Sequence, residues 1–491
     1  MLTGKNGILK RAGEAKEKTE IASEQERLTM AINSAYANQI GTDDWSGVVE
    51  KEIKSNFKGR NVIVNSFNKK MIIVSFPDSN TIYTVNGEIN KKNVSMTISN
   101  EEDLKEFRDK VNEGESFEGE TIILGKDIYV DFKDEWIPIG IYPNTSTKPS
   151  APENKTFKGF FDGMGRTIDG IRIDTSDKVQ GLFGLTDGAV IQNLTLGEKS
   201  NIKGGVSTGG IVGYLYNNSI VYNCTNKAEI KSSEIAGGIS GQIYNGKILS
   251  SYNYGTVVGE NIIGGITGGV NEGSIEKCYN FANLKSSGTF LGGITGSLVS
   301  NAYVRNCCND GKIEADGNWI GGIIGIGQSK SCTVEKCYNK GRIYGKKDDV
   351  GGIAGKLENA CTTNSYNVGE ILGDGDNIGG IVGVIENAQV YNNYNIGKVQ
   401  GEIAKKIGGI IGYKISEDAI IDNNYYLSGN VTNENNNELQ GVTVMSSDEI
   451  KSVYIKLGNA FTFDENNINN GYPILLWQMK SDIEKYEWNF E

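Results

Sequence analysis

A chain of 491 residues with 65 glycines, 6 prolines and no histidine excludes Ser-His-Asp and Cys-His catalysis and the HExxH zinc site, all of which need an imidazole. A formal net charge of −12, with no basic stripe, excludes a nucleic-acid binder and marks a soluble, acidic surface. No apolar run reaches the roughly 18 residues of a membrane helix, so the chain as given is expected neither to span a membrane nor to carry a signal peptide.

Residues 5–38 predict one long amphipathic helix, with Leu9, Ala12, Ala15, Thr19, Ala22, Ala31, Ile32 and Ala35 along one face. The pattern stops at Gly41-Thr42-Asp43-Asp44. Three short strands follow, at Val62-Ile63-Val64, Met71-Ile72-Ile73-Val74 and Ile82-Tyr83-Thr84-Val85, punctuated by Asn, Asp and Gly turns. A second helix is expected over 99–112, with Ser99 and Glu102 as a capping box and Leu104, Phe107 and Val111 as its buried face. Strand-like pieces at 120–130 and 136–141, a looser stretch from Asn144 to Lys155, and an alternating segment from Phe157 to Ile173 lead into the repeats.

The repeats carry most of the information. A Gly-Gly pair followed by an apolar residue starts at 209, 237, 264, 292, 321, 351, 379 and 408, with a degenerate copy at Gly181-Leu182-Phe183-Gly184. A near-constant period of this length signals a stacked array. Three apolar columns run through it: Ile211 to Ile410, Val221 to Ile421, and Ile230 to Val399. Most of their members are β-branched, and no copy has helical periodicity, so three short strands per coil are expected around a shared core. The fold class is therefore mostly β: a parallel β-helix (solenoid) of about nine coils with capping segments. Glycine is expected wherever a side chain would clash or the backbone needs positive φ. Ser446 with Glu449 predicts a capping box near the end, and Gly471 to Trp477 a final covering strand.

Two polar columns accompany the apolar ones. Cys224, Ser251, Cys278, Cys307, Cys337, Ser365, Asn393 and Asn424 read as an inward ladder of small side chains in preference to a metal or redox column. Asn226, Asn253, Asn280, Asn309, Asn339, Asn367 and Asn395 read as stacked amides. Between them lie Tyr252, Tyr279, Tyr338, Tyr366 and Tyr394, which would form a sugar-stacking strip if exposed and ordinary packing if buried. Gly205-Val206-Ser207-Thr208-Gly209 has the spacing of a nucleophile elbow, yet no histidine exists to activate the serine. The acids Glu276, Glu335, Glu370, Asp374 and Asp376 share no column and do not cluster within one coil. No catalytic residue, metal ligand or cofactor is assigned.

From Gly209-Gly210-Ile211-Val212-Gly213 and its copies, the Cys/Ser-Tyr-Asn segments, the Phe157–Gly170 lead-in and the terminal Asn470-Gly471-Tyr472-Pro473, residues 97–480 resemble the GLUG-motif repeats of bacterial surface and secreted proteins. Met1 to Leu9 with Ala12-Gly13-Glu14-Ala15-Lys16 resemble a type IV pilin-like protein lacking its membrane helix. The resemblances imply a small α+β pilin-like unit with a long N-terminal helix (1–96), a lead-in and cap (97–180), GLUG-type repeats (181–431) and a C-terminal cap (432–491). They imply an extracellular, cell-surface adhesin that is not an enzyme. Its expected partners are a surface glycan or host matrix protein and other pilin subunits, with membrane attachment only through a segment upstream of Met1. A structural spacer and a carbohydrate-active β-helix enzyme are the alternatives.

Overall fold

The computed structural model describes residues 4–38, 45–69, 71–131, 135–146, 148–150, 153–401, 406–432 and 439–480. It divides into two compact units, one centred on Met1–Thr97 and the other on Ile98–Ser481.

The first unit contains α1 (Gly4–Asn38), α2 (Trp45–Asn56) and an antiparallel sheet in the order β1-β2-β3-β4, formed by β1 (Ile63–Asn68), β2 (Met71–Phe76), β3 (Thr81–Asn86) and β4 (Glu88–Lys91). The three expected strands are present, and the pattern break at 41–44 lies outside the described residues. Helix α2 was not anticipated, although Trp45, Val49 and Ile53 stand on one helical face and are buried. The core joins Leu28, Ala31, Ile32 and Ala35 of α1 to Val49 and Ile53 of α2 and to Ile72, Val74, Phe76 and Tyr83 of the sheet. This corrects the pilin-like expectation. Among the described side chains, α1 joins the core through Ile21 to Ala35 and shares the sheet with a second helix, which gives the pilin-like reading no support.

The second unit is a parallel β-solenoid of about 11 turns, where about nine were expected. The two extra turns come from the lead-in, whose strands at Thr121–Leu124 and Phe160–Asp169 stack in register below Val190–Leu196 although neither carries the Gly-Gly signal. Each repeat contributes short strands to four parallel ladders instead of three. In chain order these are represented by Glu229–Ser232 (first ladder), Ile235–Gly237 (second), Ser240–Tyr244 (third), and Lys247–Leu249 with Tyr252–Asn253 (fourth). The columns starting at Ile230 and Val221 lie in the first and fourth ladders. The Ile211 column instead fills the corner between the second and third, fully buried.

The Gly-Gly pairs and the asparagine column explain each other. Each Asn Nδ2 from Asn226 to Asn367 donates to the Oδ1 of the asparagine one coil on, at 2.8–2.9 Å. The second glycine of every pair but the last, where Gly409 meets Tyr426, lies against this amide stack. A Cβ at Gly293 would stand 2.0 Å from the Gly322 carbonyl oxygen and 2.5 Å from Asn309 Cγ, and Gly322 meets Gly352 and Asn339 in the same way. Close approach therefore dictates these glycines. Positive φ falls elsewhere, on the residue before the Cys/Ser/Asn column: Asn223, Ser250, Lys277, Asn306, Lys336, Asn364, Asn392 and Asn423 all have φ between 47 and 57°. Asparagine, whose short amide tolerates this region, fills five of the eight corners.

Both ends of the stack are covered. Helix α3 (Glu101–Glu113) is capped by Asn100, which accepts from Asp103 N, and not by Ser99 as expected. Its Phe107 packs among Phe117, Phe157, Phe161 and Phe183, closing the first turns. At the other end Ser446 and Glu449 form the expected capping box of α4 (Ser447–Lys451), followed by α5 (Tyr454–Leu457) and a two-stranded pairing of Phe461–Thr462 with Ile474–Leu475.

Candidate functional site

The tyrosines singled out from the sequence do stack. Ring centroids are 5.4 Å apart for Tyr252–Tyr279, 5.1 Å for Tyr338–Tyr366 and 4.9 Å for Tyr366–Tyr394, with planes within 7°. Four of the five are not available to a sugar. Tyr279, Tyr338, Tyr366 and Tyr394 are at most 5% exposed, because the segment from Phe461 to Gln478 lies over them. Trp477 packs on Tyr338 at 5.6 Å and Phe461 on Tyr394 at 5.7 Å. Gln478 Nε2 donates to Tyr366 Oη at 2.9 Å, and Tyr394 Oη donates to the Pro473 carbonyl. The exposed-strip expectation is thus corrected: a hydrophobic ladder with hydroxyl tips is a docking track for the chain's own C-terminal cap. Tyr252, at the end of this ladder nearer the lead-in, is half-buried.

The Cys/Ser/Asn column has a structural reason. At this corner the backbone N–H of one coil donates to the side chain one coil on: Cys224 N to Ser251 Oγ (3.2 Å), Cys278 N to Cys307 Sγ (3.4 Å), Cys337 N to Ser365 Oγ (3.1 Å) and Ser365 N to Asn393 Oδ1 (2.9 Å). The position needs a small side chain that ends in an acceptor, and burial makes the thiols inert. Desolvation pushes Cys224, and Cys308 in the neighbouring tyrosine row, up to about 12, and Cys307 and Cys337 well above the ordinary thiol value. With folded-state values raised, these groups stay protonated throughout the neutral range, and the thiolate is the reactive species. Ellman's reagent at pH ~8 is therefore expected to leave Cys224, Cys307, Cys308 and Cys337 unmodified in the native protein and to titrate all seven cysteines after denaturation. Labelling of the native ladder at the rate of a free thiol would show that the corner is open.

Other sequence candidates are absorbed by the fold. Ser207 Oγ is buried and donates to the Gly213 carbonyl at 2.8 Å. Glu335 pairs with Arg305 and Glu370 with Arg342, each across neighbouring coils. Glu276 accepts from Tyr303 Oη at 2.8 Å and Asp374 from Tyr344 Oη at 2.7 Å. Among the described residues no group of three or more Cys, Asp or Glu is placed to hold a metal ion.

What the sequence reading missed is the outer face of the third ladder. Strands at Val212–Tyr216, Ser240–Tyr244, Thr267–Asn271 and Thr295–Val299 stack in register there. Their last residues, Tyr216, Tyr244, Asn271 and Val299, form a half-buried ridge. On one side of the ridge a cavity of about 160 Å³ opens between Tyr214, Gln242, Tyr244, Ile262, Asn271 and Ser297, with Gly269 at its base. On the other side a groove of about 450 Å³ runs between Asn218, Asn245, Lys247, Glu272, Asn301 and Tyr303. Tyr142 stacks on Tyr214 at 6.3 Å, and Tyr216 lies 5.7 Å from Tyr244. Burial pushes the Tyr214 hydroxyl up to about 12, so it remains a neutral donor. No long aligned column marked this face, because its aromatic register extends only from Tyr216 to Tyr244 before Asn271 and Val299 replace it, and its central feature is a glycine in a glycine-rich chain.

These features define the class: a parallel β-solenoid with a notched face on its third ladder. More particularly, residues 204–231 match the GLUG motif family model, a motif typical of extracellular proteins. Solved structures with a likeness include a chain from Bacteroides ovatus described as a candidate immunoglobulin A1 protease, 18% identical, with 78% of this chain and 92% of that one covered at a TM-score of 0.40. Another, titled IgA1 protease, is 13% identical, with 76% of this chain but 25% of that one covered at a TM-score of 0.32. No curated protein matches the chain. The expectation that the chain is not an enzyme does not stand, since both of these structures bear the name of a protease. None of these matches supports the pilin-like resemblance of the N-terminal region. Among the described residues no helix is long and apolar enough to cross a membrane.

Proposed function

We propose that this is an extracellular, cell-surface solenoid that binds a ligand along its side, in the manner of an adhesin. The observation that carries the reading is the pair of concavities astride the Tyr216–Tyr244–Asn271–Val299 ridge. Binding sites are concave and combine apolar surface with a few convergent polar groups, and both features meet on this face. A pure spacer needs only a uniform polar surface, so a notched aromatic face favours binding. Rows of contacts on adjacent coils also suit an elongated ligand, since shallow subsites add through multivalency.

The test is binding of the full-length chain to an array of glycans and host-matrix proteins. Saturable binding to at least one class is expected. Silence across the array from protein with a cooperative melting transition would reject the adhesin reading and leave the spacer.

A further inference from the structure

One row of the third ladder runs through Leu185, Tyr214, Gln242, Gly269, Ser297, Ile326, Lys356, Val384 and Tyr413, each in register with the next; its stretch from Tyr214 to Ser297 is half-buried, whereas Leu185, Ile326 and Val384 are buried. Only Gly269 lacks a side chain. The glycines beside the asparagine ladder have no room for a Cβ, whereas a Cβ at Gly269 would meet nothing within 4 Å, and its φ lies outside the left-handed region. Neither packing nor backbone geometry requires glycine there. Its effect is to leave a gap one side chain deep between Gln242 and Ser297, bounded by the half-buried rings of Tyr214 and Tyr244.

The chemistry around the gap is specific. The rings and Ile262 offer flat apolar surface, and the polar groups, Gln242, Asn271 and Ser297, are all neutral; among the described residues no charged side chain lines the cavity. An ionic ligand would lose its hydration without gaining a counter-charge. Asn271 Oδ1 is shielded from solvent and has no hydrogen-bond partner. A lone buried acceptor is costly, so this amide gains by turning toward a donor brought in by a ligand. A wholly apolar ligand would leave that acceptor unmatched. The rungs repeat every ~4.8 Å, a step close to the advance of one ring in an extended glycan.

Resting on the ligand-binding reading above, we infer that the gap over Gly269 is a subsite for one ring of a neutral polysaccharide, stacked against Tyr214 and Tyr244 with its hydroxyls on Gln242, Asn271 and Ser297.

Affinity electrophoresis of the full-length protein tests it, with dextran, mannan, xylan and mixed-linkage glucan as neutral probes. Heparin and polygalacturonate serve as charged probes and gelatin as a protein probe. At least one neutral polysaccharide is expected to retard the wild type. Gly269→Trp, which fills the gap, should weaken that retardation at least about tenfold; Gly269→Ala should have a smaller effect, and Asn271→Leu should weaken it several-fold. Tyr413→Ala, on the same row but far from the gap, should change nothing. Circular dichroism melts should match the wild type for both Gly269 variants; if the tryptophan variant melts early, Gly269→Ala and Asn271→Leu decide. Retardation by neutral glycans that ignores these substitutions overturns the subsite. Retardation by heparin, polygalacturonate or gelatin alone overturns the neutral-saccharide inference while the ligand-binding reading stands. No retardation by any probe removes both.

Discussion

Replacing Asn309 with leucine is expected to lower the stability of the solenoid by on the order of 3 kcal/mol, the cost of leaving two buried acceptors unsatisfied. Asn309 is fully buried at the middle of the amide ladder. Its Nδ2 donates to Gly311 O at 2.9 Å and to Asn339 Oδ1 at 2.8 Å, and its Oδ1 accepts from Asn280 Nδ2 at 2.8 Å. Leucine removes both donations at once, while the Asn280 amide keeps its bond to Ala282 O. The branched side chain also sits against Gly293, where an added Cβ already has no space. Gly293→Ala should be costly for the complementary reason, since its methyl group meets both the Gly322 carbonyl and the Asn309 amide. Because the two residues touch, the double variant should lose less than the sum of the singles. The exposed Lys285, substituted as a control, should shift stability by under about 0.5 kcal/mol. Urea denaturation followed by circular dichroism measures all four. A midpoint for Asn309→Leu indistinguishable from the control would mean that the ladder is not a stabilising element.

The parts of the fold that were legible are those that every coil repeats. Ile211 and its successors meet the same corner eight times, so their identity holds and the column can be read directly. The asparagine ladder was legible for the same reason: an amide stack works only if neighbouring coils contribute the same group at the same height. Positive φ was assigned to glycine on general grounds, whereas Asn223, Lys277 and their equivalents carry it at the corner that recurs in each coil. A lysine there gives no local signal. The number of turns was underestimated because the strands at Thr121 and Phe160 belong to coils whose remaining residues serve the cap and follow no repeat. The fate of the tyrosines was illegible for a different reason. Tyr366 meets Gln478 across 112 positions of sequence, and no local pattern encodes such a contact. The Gly269 gap is defined by an absent side chain, which becomes visible only when the row it interrupts is known.

The cap provides the second large effect. Phe461 is 5% exposed and packs against Tyr366 and Tyr394, and it also begins the strand that pairs with Ile474–Leu475. Phe461→Ala should cost about 3 to 5 kcal/mol, the range for a buried aromatic ring. That loss should fall on the cap, because a solenoid is held together by nearest-neighbour interfaces and its parts open separately. Hydrogen exchange should then show residues 457–478 losing protection while the amides of the third ladder keep theirs. The Tyr338, Tyr366 and Tyr394 rings should become reactive to iodination together, since one segment shields all three. A uniform fall in protection through every coil would instead mean that the cap and solenoid unfold as one unit. The comparison also separates the two aromatic surfaces of the molecule. Opening the cap exposes the tyrosine ladder but leaves the third-ladder face untouched, so Phe461→Ala should bind ligand as the wild type does at temperatures below its transition. Binding that rises when the cap opens would move the ligand site from the Gly269 face to the tyrosine ladder.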